Sequence, residues 1–462
     1  MNSMMQNTHV DLNKQLSIHI VGVGGAGMRA IALVLSCMGN SVSGSDLKNS
    51  PGLDRLQAEK IVVTIGHSRE NIAQPDLVTR STAVSDSNIE IKEALIRGIP
   101  VISRAEILSA ISRTKSTVSV AGTHGKTTTS SMLAVLLAQA QLSPSFIIGG
   151  EVNEIGCGAL WEEHSEILVV EADESDGTFL DLDSDYAIVT NLEPDHLEYY
   201  GGEGELRSAF QSFLGNVTNK SFVCADDSGL MSVVGSTDVI TYGVNSNSDY
   251  LITEYEGSRS GSKFSLSAPN EDLGEFVVAT PGIYNVRNAT AALAFGHHIG
   301  ADINLLRQGL AQFGGVARRF HFRGERNDVA YIDDYAHLPT EVSSVLQAVK
   351  EGEWGRIICV FQPHRYTRTS DLWKDFSHSF EDADVLFITD IFSAGEAPIP
   401  GVSGRLIVDA VKGAYPEKPM MYGDHREELI AQIRQVLSPG DVCLTLGAGD
   451  ITTLPNELML GD

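Results

Sequence analysis

The sequence predicts an α/β protein of three domains, each built on a largely parallel, doubly wound sheet. Three observations predict it. Short β-branched runs alternate with helical periodicity along almost the whole chain, the pattern of βαβ units. That series restarts twice, near residues 113 and 316. The chain is also 462 residues long, more than one ordinary core supports. The domains are read as 1–113, 114–316 and 317–462.

In the first domain "LSIHIVGV" reads as a strand, "AGMRAIALVLSCMG" as a helix ended by Gly39, and "SVSGSD" as a second strand. "KIVVTIG", "DLVTRSTAV" and "IPVIS" continue the series. The second domain opens at "STVSVAG" and runs through "SEILVVEADES", "YAIVTNLEPDH" and "SFVCADD". Between about residues 248 and 280 the helical period disappears, and "YLITEYEG", "KFSLSA" and "GEFVVATPG" read as antiparallel hairpins before the helix "NVRNATAALAFGHHIG". His297 and His298 on that helix read as packing or capping residues. The third domain follows "FGGVARRF" with "VAYIDDYA", "GRIICVFQPH", "DVLFITD" and "DVCLTLGAGD".

Hydrophobic residues at 42% and charged residues at 20% are a globular composition. The formal net charge of −27 argues against nucleic acid or an anionic membrane as a partner, since both need a basic surface. An anionic substrate must therefore be met by local cations or metal. The five cysteines, Cys37, Cys157, Cys224, Cys359 and Cys443, are scattered without a C-x-x-C pair, as in a reducing compartment. "MNSMMQNTHVDLNKQ" has no basic region followed by an apolar run, and no stretch reaches the length of a membrane span. A cytoplasmic location is expected.

Two glycine loops carry the chemistry. Gly22-Val23-Gly24-Gly25-Ala26-Gly27 satisfies G-x-G-x-x-G between a strand and a helix, and Asp46 ends the next strand. Such a loop lets backbone approach a pyrophosphate. NAD(P) and a UDP-sugar both have one, so an oxidoreductase stays open on these residues alone.

The second loop, "AGTHGKTTTS", has the GKT of a phosphate-binding loop but a shortened lead: Val120 stands where the usual spacing puts glycine, and Gly122 is the upstream glycine. Lys126 is placed to reach phosphates and the Thr127 hydroxyl to bind Mg²⁺. "LVVEADES" puts Glu171, Asp173 and Glu174 at a strand's carboxyl end, and "TNLEPDH" does the same for Asn191, Asp195 and His196. That edge is where open α/β sheets bind ligands. Taken without anything further, these loops also suit an ATP-binding regulator with no catalysis.

At this point the chain resembles the Mur ligases. The resemblance rests on "HIVGVGGAGM", "SGSD", "GTHGKTTT", "EADESDGTFL", "TNLEPDHLEYY", "PGIYNVRNATAA", "RRF", "DDYAHLPTE" and "FQPHRYTRT", in that order over nearly the whole chain. It implies a ligase that activates a carboxylate with ATP and Mg²⁺ through an acyl phosphate, and it makes the short loop the working ATP loop. Gly122, Thr123, His124, Gly125, Lys126, Thr127 and Thr128 would hold ATP, and Thr127, Glu171 and His196 the metal. Asn285 and Asn288 would read adenine, and Arg319 and Asp334 from the third domain would complete that site. Gly22, Gly24, Gly25, Ala26, Gly27, Asp46, Ser81 and Thr82 would hold a UDP-sugar, with His124 facing its sugar side. Tyr335, His337, Arg365 and Arg368 would form the amino-acid pocket. Lys126, His196, His337, Arg319 and Asp334 are the catalytic candidates, with His337 as candidate base.

Within the family the match is fullest to the branch that adds L-alanine to UDP-N-acetylmuramate; a branch that adds a recycled murein tripeptide is the alternative. Two departures stand out. Leu338 occupies a position where the family often has a second histidine, and is expected to be a packing residue. "ELRSAFQSFL" lacks the modified lysine of several sister ligases, which fits the alanine-adding branch.

Overall fold

The computed structural model describes residues 10–152 and 157–460; residues 1–9, part of the stretch read for a signal sequence, lie outside them. Three sheets organise the chain. The first comprises β1 (Ser17–Val21), β2 (Ser41–Asp46), β3 (Val62–Ile65), β4 (Leu77–Arg80) and β5 (Val101–Ser103). Its order is β3-β2-β1-β4-β5 and every pairing is parallel. The order reverses at β1, so the loop leaving β1 opens at the point where neighbouring connections diverge to opposite sides. That loop is Gly22–Gly25, and the helix Ala26–Cys37 follows it.

The second sheet holds β6 (Ser116–Ala121), β7 (Ser145–Val152), β8 (Cys157–Leu160), β9 (Ile167–Glu171), β10 (Tyr186–Val189), β11 (Lys220–Cys224), β12 (Val239–Gly243), β13 (Tyr250–Ser258), β14 (Gly261–Ala268) and β15 (Glu271–Val278). Its order is β15-β14-β13-β12-β11-β10-β6-β9-β7-β8. β6 lies between β9 and β10, both parallel to it, so the GKT loop leaving β6 is flanked by the ends of the two acidic strands. The helix after the loop, Lys126–Gln139, is buried from Thr128 to Leu137, which explains why "TTTSSMLAVLL" shows little amphipathic period.

The third sheet comprises β16 (His321–Arg326), β17 (Val329–Asp334), β18 (Ile357–Phe361), β19 (Val385–Thr389), β20 (Met420–Gly423) and β21 (Val442–Leu446), in the order β16-β17-β21-β18-β19-β20. Only β16 pairs antiparallel. Both faces are covered: Ile357, Cys359 and Phe361 enter one core with Val342 and Leu346, whereas Ile358 and Val360 enter the other with Leu429 and Ile433. A strand buried on both sides reads as continuously apolar, as "IICVF" does.

The expected strands and the hairpins are present. Five strands went unread: β7, β8, β12, β16 and β20. His298 packs edge-on to Tyr186 and Phe222, and His297 Nδ1 lies 2.9 Å from the Tyr250 hydroxyl, so both serve packing, as expected. By contact density the chain divides into two units, one of residues 1–253, 265–274 and 287–313, the other of 254–264, 275–286 and 314–462. Among the described residues no helix is long and apolar enough to cross a membrane.

Candidate active site

In the first unit the GKT loop is held in place by the strand end beside it. His124 N–H donates to Asn191 Oδ1 at 2.8 Å, and Asn191 Nδ2 returns a bond to the His124 carbonyl at 3.0 Å. Thr190 Oγ1 donates to that same carbonyl, and Glu193 N–H donates to Thr123 Oγ1 at 2.9 Å. The His124 ring lies 3.2 Å from Glu193. Asn191 is thus a clamp on the loop rather than a bare ligand. Gly125, at φ 79, starts the helix, and Asn288 packs so close that a Cβ there would meet its Oδ1 at 2.7 Å. Asn288 therefore reaches the loop; Asn285, in the other unit, donates to the Pro281 carbonyl.

Lys126 folds back over its own loop. Its Nζ donates to the Gly122 and Thr123 carbonyls at 2.7 and 3.2 Å and pairs with Glu174 at 2.7 Å. Burial works against the ammonium charge, but Glu174 and Asp173 offset it and hold its pKa above the usual lysine value. Burial also pushes Glu174 up to about 7, against the pull of Lys126. Tyr200 steadies the loop by donating to the Glu174 carbonyl.

Thr127 Oγ1 donates to Glu171 Oε1 at 3.0 Å, and Glu171 Oε2 accepts from Gly149 N–H at 2.8 Å. A hydroxyl and a carboxylate side by side are hard oxygen donors of the kind Mg²⁺ takes, with phosphate and water completing its shell. Among the described residues no group of three or more His, Cys, Asp or Glu side chains is arranged to hold a metal ion. This set therefore fits a cation that keeps most of its ligands from substrate and solvent. His196 sits at φ 54 at the start of a short helical turn, with Nε2 3.2 Å from Asp195.

The first glycine loop is also held by backbone donors. Gly22 and Val23 N–H donate to the Ser45 carbonyl at 2.8 and 3.1 Å, and Gly24 N–H donates to Asp46 Oδ2 at 2.8 Å. Asp46, at the end of β2, thereby fastens the loop. A Cβ on Gly22 would strike Ser81 and Val84, whereas Gly25 faces open space. The Arg104 guanidinium lies against Gly27 and pairs with Asp176 at 3.1 Å. Thr82 is exposed.

In the second unit, left-handed φ values at Arg318 (63°) and Phe320 (45°) flank Arg319. Such strain at non-glycine residues is kept where neighbours impose it. Phe320 N–H donates to Asp334 Oδ2 and Ala336 N–H to Oδ1, both at 2.7 Å. Arg319 lies 4.8 Å over the Tyr335 ring and 3.9 Å from Glu341. Burial pushes the Asp334 carboxyl up to about 6 against the opposing pull of Arg319. Between 3.8 and about 6 the folded chain holds a proton that the unfolded chain releases, so this group's contribution to stability falls as pH rises through that window. Asp334→Asn is expected to remove that slope. Urea midpoints of the two chains at about pH 4, 5 and 6 test it: parallel pH profiles would disprove the assignment.

His337 Nδ1 donates to the Tyr335 carbonyl at 2.9 Å, so the neutral ring carries its lone pair on Nε2, the tautomer a base needs. Leu338 is buried, in keeping with a packing role. In "HRYTR" the helix begins only at Tyr366; Arg365 precedes it at φ 69 and Arg368 lies within it. Arg368 donates to His364 Nδ1 at 3.0 Å. An arginine cannot accept, so that nitrogen carries a lone pair and His364 is neutral. Burial, then His337 and both arginines, push His364 down to about 3. Glu396 accepts from Thr367 N–H and Oγ1 at 3.1 and 2.8 Å and lies 4.0 Å from Arg365. Sequence reasoning missed His364 and Glu396. The first stood in plain view in "FQPHRYTRT", and the second had no local signal.

The chain matches three family descriptions in series: "Mur ligase family, catalytic domain" over residues 17–116, "Mur ligase middle domain" over 120–296, and "Mur ligase, glutamate ligase domain" over 318–449. It is 41% identical to the UDP-N-acetylmuramate–L-alanine ligase of Geobacter sp. strain M21, covering 96% of this chain and 97% of that one. Identity to the enzyme of the same name from Anaeromyxobacter dehalogenans is 43%, covering 97% and 98%. Among solved structures, the UDP-N-acetylmuramate–alanine ligase of Thermotoga maritima superposes with a TM-score of 0.78 at 30% identity, covering 96% and 98%. A murein peptide ligase from Psychrobacter arcticus shares the fold, with a TM-score of 0.67 at 24% identity and coverage of 96% and 98%.

Proposed function

Because the chain belongs to the Mur ligase family, we propose that it joins L-alanine to the lactoyl carboxylate of UDP-N-acetylmuramate at the expense of ATP. The products are UDP-N-acetylmuramoyl-L-alanine, ADP and phosphate, a step of peptidoglycan precursor synthesis in the cytoplasm. A carboxylate resists attack by an amine, so it is first converted to an acyl phosphate; the amine then adds and phosphate leaves. No protein nucleophile is needed. The protein's task is alignment and charge neutralisation.

The observation that carries this reading is the pair of backbone-lined glycine loops in one chain, with Lys126 and the Thr127–Glu171 pair at the second. On this reading Gly122 to Thr128 and Asn288 hold ATP, and Lys126 exchanges Glu174 for phosphate oxygens. Thr127 and Glu171 hold Mg²⁺, which screens phosphate charge when bound, and His196 supports that set. The first loop, with Asp46, Ser81 and Thr82, takes the UDP pyrophosphate and nucleoside. Asn285, Arg319 and Asp334 are assigned to ATP, and Tyr335, His337, Arg365 and Arg368 to alanine, with His337 taking the amine's proton. An arginine pair suits a carboxylate through bidentate bonds. Residues 1–113, 114–316 and 317–462 are the corresponding UDP-sugar, ATP and amino-acid domains.

Phosphate release from ATP and Mg²⁺ tests the reading. It is expected only when both UDP-N-acetylmuramate and L-alanine are present. Release with the murein tripeptide instead of alanine would move the assignment to that branch, and release in neither tube would remove the reaction.

A further inference from the structure

Glu90 is a carboxylate that the reaction above does not use, buried with no lysine or arginine paired to it among the described residues. It is 0% exposed and lies on the helix Ile89–Ile96. A buried charge is retained only where dense hydrogen bonding replaces water. Glu90 has that bonding. Ser45 Oγ donates to Oε2 at 2.5 Å, Asn71 Nδ2 to Oε1 at 2.5 Å and Ser68 N–H to Oε1 at 3.1 Å. His67 Nδ1 lies 3.2 Å and His19 Nε2 3.6 Å from Oε2. These bonds, opposing burial, hold its pKa down at about 2, so it is an anion throughout the working range.

The partners of Glu90 are the groups that shape the first glycine loop. Ser45 gives its side chain to Glu90 and its carbonyl to Gly22 and Val23 N–H. Asn71 bonds Glu90 and also the Gly66 carbonyl at 3.0 Å, and Gly66 N–H donates to the Asp46 carbonyl at 2.7 Å. Asp46 in turn accepts from Gly24 N–H. One carboxylate therefore grips the end of β2 directly through Ser45, and through Asn71 and Gly66 from the following turn.

We propose that Glu90 is a positioning residue for the sugar-nucleotide site: through Ser45 and the 66–71 turn it sets the backbone donors of the first glycine loop without touching the ligand. The proposal rests on the reading of that loop as the UDP-sugar site. It predicts a selective defect. Glu90→Gln keeps the volume but replaces one acceptor oxygen with a donor facing Ser45 or Asn71. The KM for UDP-N-acetylmuramate and its calorimetric Kd are expected to rise about 5- to 50-fold, the range one lost or mispositioned charge-assisted bond produces. The KM values for ATP and L-alanine and kcat are expected to stay within about twofold of wild type, because the GKT loop is held by other residues.

Ser45→Ala supplies an independent arm, since it cuts the direct link and leaves the carboxylate its other donors; a smaller rise of the same selectivity is expected. Melting temperatures of all chains are recorded alongside. A lower melting temperature with unchanged KM for the sugar nucleotide in both variants would make Glu90 merely structural and overturn the proposal. Equal rises in all three KM values would overturn it too. A wild-type chain that does not bind UDP-N-acetylmuramate in the calorimeter overturns the site reading itself, and the proposal with it, and is distinguished by failing before any variant is compared.

Discussion

Lys126→Ala is expected to lower kcat/KM by about 10²- to 10³-fold, the effect of removing one preorganised donor from a charge-developing site, or about 3–4 kcal/mol of transition-state stabilisation. The side chain has two tasks, and they separate by measurement. In the structure it neutralises Glu174, whose side chain is 3% exposed. Removing one member of a buried pair commonly destabilises by about 3–5 kcal/mol, because the partner's charge is stranded. The loss here is expected at or below the lower end, since Glu174 is already pushed up to about 7 and takes a proton readily. Lys126→Met combined with Glu174→Gln is expected to recover most of the stability of the lysine variant and none of its turnover. Recovery of turnover in the double variant would show that Lys126 matters only as the partner of Glu174. A kcat/KM within about tenfold of wild type in Lys126→Ala would remove the lysine from the reaction.

How far the site could be read in advance depends on the range over which each residue acts. Thr127 and Glu171 were legible because strand-loop-helix and strand-end acids are local patterns, and the structure joins them at 3.0 Å. The hold of Glu174 on Lys126 and of Asn191 on His124 was not legible in detail. Each joins residues more than forty positions apart through the packing of parallel strands. Asp46 was legible as the acid at the end of β2, whereas its bond from Gly24 N–H joins residues 22 positions apart and was not. Arg365 stands immediately before its helix at φ 69, a conformation that sequence period does not encode.

The unread strands have physical reasons of the same kind. β8, β16 and β20 lie at sheet edges, where only one ladder must form. "HFRGER" is polar and carries a register shift between Phe322 and Gly324, and "MMYG" is four residues without a β-branched side chain. "SFIIGGEV" was obscured by its two glycines, which in the structure put the Gly149 amide against Glu171. Interior strands buried at every position, such as "IICVF" and "VLFIT", read directly as apolar runs.

Gly122→Ala is expected to damage both the stability of the chain and its turnover. Gly122 sits at φ 130, and a Cβ built there would lie 2.1 Å from Thr190 Oγ1 and 3.1 Å from both the N and O of Asn191. The first contact could be relieved by moving a side chain. The others are with backbone, and the backbone angle itself is one that only glycine adopts readily. Strain of about 1–3 kcal/mol from the φ value and about 1–3 kcal/mol from overpacking give an expected destabilisation of about 2–6 kcal/mol. Whatever part is relieved by shifting the loop moves the Gly122 carbonyl from Lys126 Nζ, so ATP-dependent turnover is expected to fall at least about 10²-fold even in chains that remain folded. Two comparisons isolate the cause. Thr190→Ala in the same chain removes the 2.1 Å contact but not the φ penalty, and should restore only part of the stability. Gly25→Ala, at φ −67 with nothing within 4 Å of its Cβ, should melt within a few degrees of wild type. If Gly122→Ala melted like Gly25→Ala, the tight turn after β6 would not be what shapes the loop. If the Thr190→Ala pair were fully restored, the hydroxyl contact alone would be the constraint and the shortened spacing of "GTHGKT" would lose its steric basis.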